Sequence, residues 1–194
     1  MSNGSWLKAG ACGIFLTLLA APLPCRAAAG TGESAALEDK VKTAFLYKFT
    51  KYVQWPEAGQ DEDFQIAVIG DSGLIAPLRE LAREKLSNGG KIKVERWRSP
   101  EDIGPCRILF IAASERERLG EILKKTEGKN ILTVGDSKGL AALGVAINFV
   151  VVDGKVRFEI NRRAAAQAGV EISSQLLKLA ILVEDKKGER DGQP

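Results

Sequence analysis

The sequence predicts an α/β protein: a three-layer sandwich on a mainly parallel sheet, with an antiparallel hairpin at the sheet's edge. Three observations carry that expectation. Short apolar runs rich in β-branched residues, Phe64–Ile69, Ile108–Ala112 and Ile131–Val134, read as strands buried on both faces. Stretches with helical apolar spacing separate them. Finally, Asp153-Gly154 sits between Val145–Val152 and Lys155–Ile160, a strong local signal for a two-residue hairpin turn.

Taken in order, the chain opens with Lys8, an uncharged apolar run Ala9–Pro24, and small residues Ala27-Ala28-Ala29. Positive, apolar and small-residue regions in that order describe a secretory signal peptide over residues 1–29. The run is short for a membrane span, and Pro24 directly before Cys25 argues against a lipoprotein site. The expected product is an exported chain with no direct membrane insertion, one domain over residues 36–183, and a charged flexible tail over 184–194.

Val41–Pro56 reads as a helix ended by Pro56, with Trp55 beginning the exit. Val41, Ala44, Phe45, Phe49, Tyr52 and Val53 give its apolar face, with Lys40, Tyr47 and Lys51 opposite. Lys48 falls inside that arc, either with its stem packed and its amine in water or as a buried amine meeting a carboxylate. Glu57–Asp63 is a polar loop before the first strand. Leu74, Leu78, Leu81, Ala82 and Leu86 mark a helix closed by Asn88-Gly89-Gly90. Ile92 and Val94 alternate with Lys93 and Glu95, as in a more exposed strand.

After the central run Ile108–Ala112, Ser114 and Glu117 have capping-box spacing for a helix that turns Leu119, Ile122 and Leu123 inward and ends at Gly128. A short helix over Leu140–Leu143 follows the next strand. Beyond the hairpin, Asn161 is placed to cap a helix over Arg162–Ala168. Ser173 or Ser174 starts a last helix carrying Leu176, Leu177, Leu179, Ala180, Leu182 and Val183. The architecture is Rossmann-like without a dinucleotide fingerprint.

Composition narrows the function. Removing residues 1–29 takes away Lys8 and Arg26, which lowers the formal charge from +3 to +1. Nucleic-acid binding needs clustered positive charge, so that class is not expected. The sequence contains no histidine, which rules out a Ser-His-Asp triad. Of three cysteines only Cys106 lies beyond the signal segment, so neither a metal site nor a cofactor is expected. Cys106 reads as a small buried hydrophobe or as half of an intermolecular disulfide.

Two stretches resemble each other, Val68-Ile-Gly-Asp-Ser-Gly-Leu74 and Val134-Gly-Asp-Ser-Lys-Gly-Leu140. Gly70, Asp71 and Ser72, and likewise Gly135, Asp136 and Ser137, follow a strand and precede helix. That is ordinary turn chemistry, or a pair of ligand cradles at the carboxyl ends of strands. Asp71 and Asp136 would repel an anion there. Arg157–Asn161 is a charged strand, either a protected edge or a docking surface. Phe158, Glu159, Ile160 and Asn161, with Ser173, Ser174, Gln175 and Leu176 beside them, are the candidate partner-facing or structurally pivotal residues.

Four stretches also carry a resemblance to a known family. Val41-Lys-Thr-Ala-Phe-Leu-Tyr-Lys-Phe49 ending in Trp55-Pro56, Cys106–Arg116, Arg157–Asn161 and Ser173–Ala180 together resemble the YfiR-like periplasmic repressors of membrane diguanylate cyclases, over about Val41 to Val183. The resemblance implies a non-enzymatic regulator in the periplasm. It would hold an inner-membrane diguanylate cyclase inactive through that enzyme's periplasmic domain and so lower cyclic-di-GMP. It further implies a homodimer, to which the Val41–Trp55 helix contributes. Family members often carry a cysteine in the first strand. Ala67 takes that place here, so disulfide control is not implied. The alternative reading is a periplasmic small-molecule sensor using the two Gly-Asp-Ser loops.

Overall fold

The computed structural model describes residues 30–56, 63–87 and 89–184. The expected signal peptide over residues 1–29, most of the Glu57–Asp63 loop, Asn88 and the residues beyond Glu184 lie outside the described residues. Helix α1 runs Gly30–Tyr52, and β1 is Val53–Gln54. Strand β2 is Phe64–Ile69, α2 Ile75–Glu84, β3 Leu86–Ser87 and β4 Gly90–Trp97. Strand β5 is Ile108–Ile111; a 3-10 segment Ala113–Arg118 leads into α3, Leu119–Thr126. Strand β6 is Leu132–Gly135, β7 Ile147–Val152 and β8 Lys155–Ile160. Last come α4 Arg162–Gln167, β9 Glu171–Ile172, α5 Ser174–Leu177 and β10 Ile181–Leu182.

Eight strands form one sheet in the order β10-β8-β7-β6-β5-β2-β4-β3, and β1 pairs with β9 separately. The four central pairings, β4-β2-β5-β6-β7, are parallel. Alternation along the strands sorts the core into two layers. Ile66, Val68, Ile108, Phe110, Leu132 and Val134 pack with Leu46 and Phe49 of α1, Leu78 of α2 and Leu176 of α5. Ala67, Ile69, Leu109 and Ile111 face the other way, against Leu119 and Ile122 of α3. Helices on both faces of a mainly parallel sheet are the three-layer α/β fold the sequence pattern predicts.

The hairpin follows the turn chemistry. Asp153 and Gly154 have φ of 50° and 69°, and left-handed geometry at both central residues matches the twist of the flanking strands. It is not the outermost element, however. Strand β10 lies beyond it, parallel to β8, with Ile181 opposite Glu159 and Leu182 opposite Ile160.

Other expectations need correction. Helix α1 ends at Tyr52, before Pro56, because Val53–Gln54 pair antiparallel with Glu171–Ile172. Its buried face is Lys42, Thr43, Leu46, Phe49 and Thr50, while Ala44 and Tyr52 are exposed. The helical period was right, but the stripe is rotated toward polar residues that meet the loops described below. Leu86 does not extend α2: Lys85 is already extended, and Leu86–Ser87 pair with Gly90–Lys91. Ser114 sits inside a 3-10 turn rather than at a cap, and a capping box forms instead at Ser99 and Asp102. The last helix is one turn long. Leu182 leaves it to join β10, since pairing with β8 satisfies backbone groups that a longer helix would leave in solvent.

Candidate functional site

Parallel strands β2, β5 and β6 end on the same side of the sheet, which gathers three loops there. They are Gly70–Leu74, Ala112–Arg118 and Asp136–Leu140. In an open α/β sheet the ligand crevice lies where strand order reverses, here between the loops after β2 and β5. In this chain side chains fill it. Gly70 has φ +88°, and a Cβ on it would lie 2.5 Å from Ser114 Oγ and 2.7 Å from Glu115 Cγ. The Asp71 amide donates to Ser114 Oγ at 3.0 Å. The Asp71 carboxylate pairs with Arg96 Nη2 at 2.6 Å, and Ser72 Oγ accepts from the Leu74 amide at 3.2 Å. The first loop thus spends its polar groups on its own neighbours, as turn chemistry does.

The second loop receives α1. Lys42 Nζ lies 2.7 Å from Glu38 Oε1 and 3.3 Å from Asp136 Oδ2, with its side chain only 8% exposed. On the same stretch of helix, Asp39 approaches Gly73 so closely that a Cβ there would collide with the carboxylate. Thus α1 touches both Gly-Asp-Ser loops. Burial alone would lower the Lys42 pKa, but the Glu38 hydrogen bond and the Asp136 charge outweigh it and raise the value. Burial raises the Asp136 pKa too, with Lys42 opposing only in part. Glu38 is the nearer partner, and Asp136 Oδ1 is buried without a hydrogen bond, so the amine is well compensated and the Asp136 carboxylate is not. Asp39 is raised by the same burial.

Beside this cluster a cavity of about 420 Å³ opens between Lys42, Asp136 and Lys138 on one side and Val150–Val152 of β7 on the other. It reaches Asp136, while Gly70, Asp71 and Ser72 are not part of its lining. The other half of α1 grips the hairpin through aromatic rings. The Phe45 and Phe158 centroids are 5.3 Å apart, Phe49 and Phe158 5.5 Å, and Phe49 and Phe149 5.9 Å.

The eight candidate partner residues divide by burial. Phe158, Ile160, Asn161 and Leu176 are buried. Asn161 Oδ1 accepts from the Ala164 amide at 2.9 Å and Nδ2 donates to the Ala141 carbonyl at 2.7 Å, so one side chain caps α4 and ties down the preceding loop. Ser173 Oγ accepts from the Leu176 amide as the cap of α5. Glu159 is half-buried and accepts from Asn148 Nδ2 at 2.8 Å. Ser174 and Gln175 are exposed. The buried members hold the framework, and Glu159, Ser174 and Gln175 present it to solvent.

Sequence reasoning missed Lys42. It lies one turn before Phe45 and at i+4 from Glu38, a spacing that signals an ion pair. The partner 94 residues away gives no local signal. Cys106 is 8% exposed, and burial, with Glu95 adding to it, pushes its thiol up to about 12. A thiol so held is inert. Among the described residues no helix is long and apolar enough to cross a membrane.

A model of the family described as YfiR/HmsC-like matches residues 39–181. No curated protein matches the chain.

Proposed function

The chain belongs to the YfiR/HmsC-like family, and from that premise we propose that it is an exported regulatory binding protein that represses a membrane-bound diguanylate cyclase. Residues 1–29 act as the signal peptide, residues 36–183 form the functional domain, and residues 184–194 are a solvated tail. The protein reaches the cyclase through that enzyme's periplasmic domain and lowers cyclic-di-GMP output across the membrane. It does so by population shift, binding the inactive receptor state better than the active one. It is not an enzyme, and it acts as a homodimer.

The observation that carries the reading is the family match, which runs from Asp39 within α1 through the hairpin to Ile181, the first residue of β10. The geometry agrees with a binding role. At the first Gly-Asp-Ser loop the polar groups are engaged with their own neighbours, and exposed apolar side chains collect at the hairpin and around β10: Val151, Val152, Leu179, Ile181 and Leu182. Capture from solubilised membranes tests it. The full chain retains a diguanylate cyclase, and Glu159→Ala with Gln175→Ala weakens retention; undiminished retention by that pair removes those two residues from the interface. The cavity of about 420 Å³ favours a second reading, a small-molecule sensor at the second Gly-Asp-Ser loop through Asp136, because that volume suits a small ligand. A metabolite that raises the melting temperature in proportion to its concentration would identify it.

A further inference from the structure

Strand β10 covers only part of β8. It pairs with Glu159 and Ile160, which leaves Lys155–Arg157 with no strand on their outer side among the described residues. The Val183 amide donates to the Ile160 carbonyl at 3.0 Å, so the backbone groups of Ile160 point outward to β10. Alternation along an antiparallel pair then points the backbone groups of Phe158 and Val156 away from β7 as well; the pairing of Ile181 beside Glu159 takes up the Phe158 carbonyl, which leaves the Phe158 amide and both groups of Val156 open. The result is a short row of open donors and acceptors, the template that strand addition uses.

The side chains on this edge set the chemistry of its occupant. Lys155 and Arg157 are exposed on the strand, and neither forms an ion pair with another of the described residues. A second copy is a poor occupant. Antiparallel self-pairing about Val156 would set Lys155 against Arg157, and like charges directly opposite one another destabilise a strand pair. An extended segment with acidic residues at alternate positions meets both cations in register and lays its intervening apolar residues toward Val156.

We infer that the open edge of β8 over Lys155–Arg157 receives an extended, acidic segment of the cyclase's periplasmic domain by strand addition. The inference rests on the repressor reading and names how that partner is held. Because β10 continues the line of the edge above Glu159, the added segment is fixed in position by a stop at its end. Main-chain bonds then supply affinity, and the two cations supply register.

The test compares single changes in the full chain, with cyclase capture from membranes as readout and the melting temperature as a check of folding. Val156→Pro removes an outward amide and no bond to β7, which edge strands tolerate. Val156→Ala removes the same side chain and keeps the amide. Lys155→Glu with Arg157→Glu reverses the charge at solvent-exposed positions. The inference expects Val156→Pro to bind about tenfold more weakly than Val156→Ala, the charge reversal to lose a similar factor, and wild-type binding to weaken with salt. If wild type captures the cyclase and both Val156→Pro and the charge reversal capture it equally well, the edge is not the contact and the inference falls while the repressor reading stands. Dissociation of a homodimer by Val156→Pro with unchanged cyclase capture also overturns it, making the edge a self-association surface. If wild type captures no cyclase, the repressor reading fails and takes the inference with it.

Discussion

Lys42 holds a positive charge where the fold leaves almost no water, between a carboxylate on its own helix and one on a distant loop. Removing one partner from such a pair costs more than the pair contributes, because the remaining charge is stranded. Lys42→Met is therefore expected to lower stability by about 2–3 kcal/mol in denaturant unfolding, discounted for the partial exposure of Glu38 and Asp136. Lys48→Met, at an exposed position over the Phe45 ring, should stay within about 0.5 kcal/mol. The pH dependence has a definite sign. The Lys42 pKa is raised in the fold, so its contribution is complete below the ordinary 10.5 and fades as pH climbs through the folded value. Asp136 and Asp39, also raised, make stability fall as pH rises from 3.8 through their folded values. Lys42→Met should abolish the alkaline fade that belongs to this amine.

Cys106 gives a second check at the same scale. Between 9.0 and about 12 the folded chain keeps a proton the unfolded chain has released. Stability therefore falls with pH across that window by up to about 1.4 kcal/mol per unit, and Cys106→Ala should remove that slope. A thiol reagent at neutral pH should label the native protein about 100-fold more slowly than the denatured one. The sequence left Cys106 open between buried hydrophobe and disulfide partner, because composition does not reveal burial. It also raised the idea of a buried amine in this helix, but at Lys48. The choice between Lys42 and Lys48 depends on which face meets the Asp136 loop, and that is a long-range fact.

Among the elements, those fixed by local chemistry were legible. The Asp153-Gly154 turn and the Asn161 cap each follow from one or two residues whose backbone preferences leave few options. Asn161→Ala should cost about 2 kcal/mol in thermal or denaturant unfolding, since it leaves the Ala164 amide unpaired and removes a buried bond to the Ala141 carbonyl, which the Gly144 amide still holds. Ser173→Ala, which loses a single cap bond, should cost about 1 kcal/mol. Elements decided by tertiary pairing were not legible. Leu86 and Leu182 sit at good helical spacing, yet each joins a two-residue strand because a neighbouring strand offers backbone partners. The Gly-Asp-Ser loops were correctly placed at strand ends. What occupies the crevice, Ser114 and Glu115, comes from another loop and has no signature near Gly70.

At the scale of the whole molecule α1 joins parts the chain keeps far apart. It meets the Gly73 turn through Asp39, the Asp136 loop through Lys42 and the hairpin through Phe45 and Phe49, and it leads into β1, which pairs with β9. A ligand or partner that shifts α1 is thereby coupled to the hairpin edge through packed rings, a discrete contact rather than a soft one. The three-layer order followed from the alternation of strand and helix patterns alone. The covering of the hairpin by β10 did not, because two residues are too short a stretch for any period.

The measurement that tests the central claim most directly is intracellular cyclic-di-GMP in cells that encode this chain, compared with cells that have lost the gene. The repressor account predicts a rise on loss. It predicts return to the starting level when the full chain is restored, and no return when the restored chain lacks residues 2–29. An unchanged cyclic-di-GMP level on loss of the gene, with the protein shown to be produced in the parent cells, would contradict it.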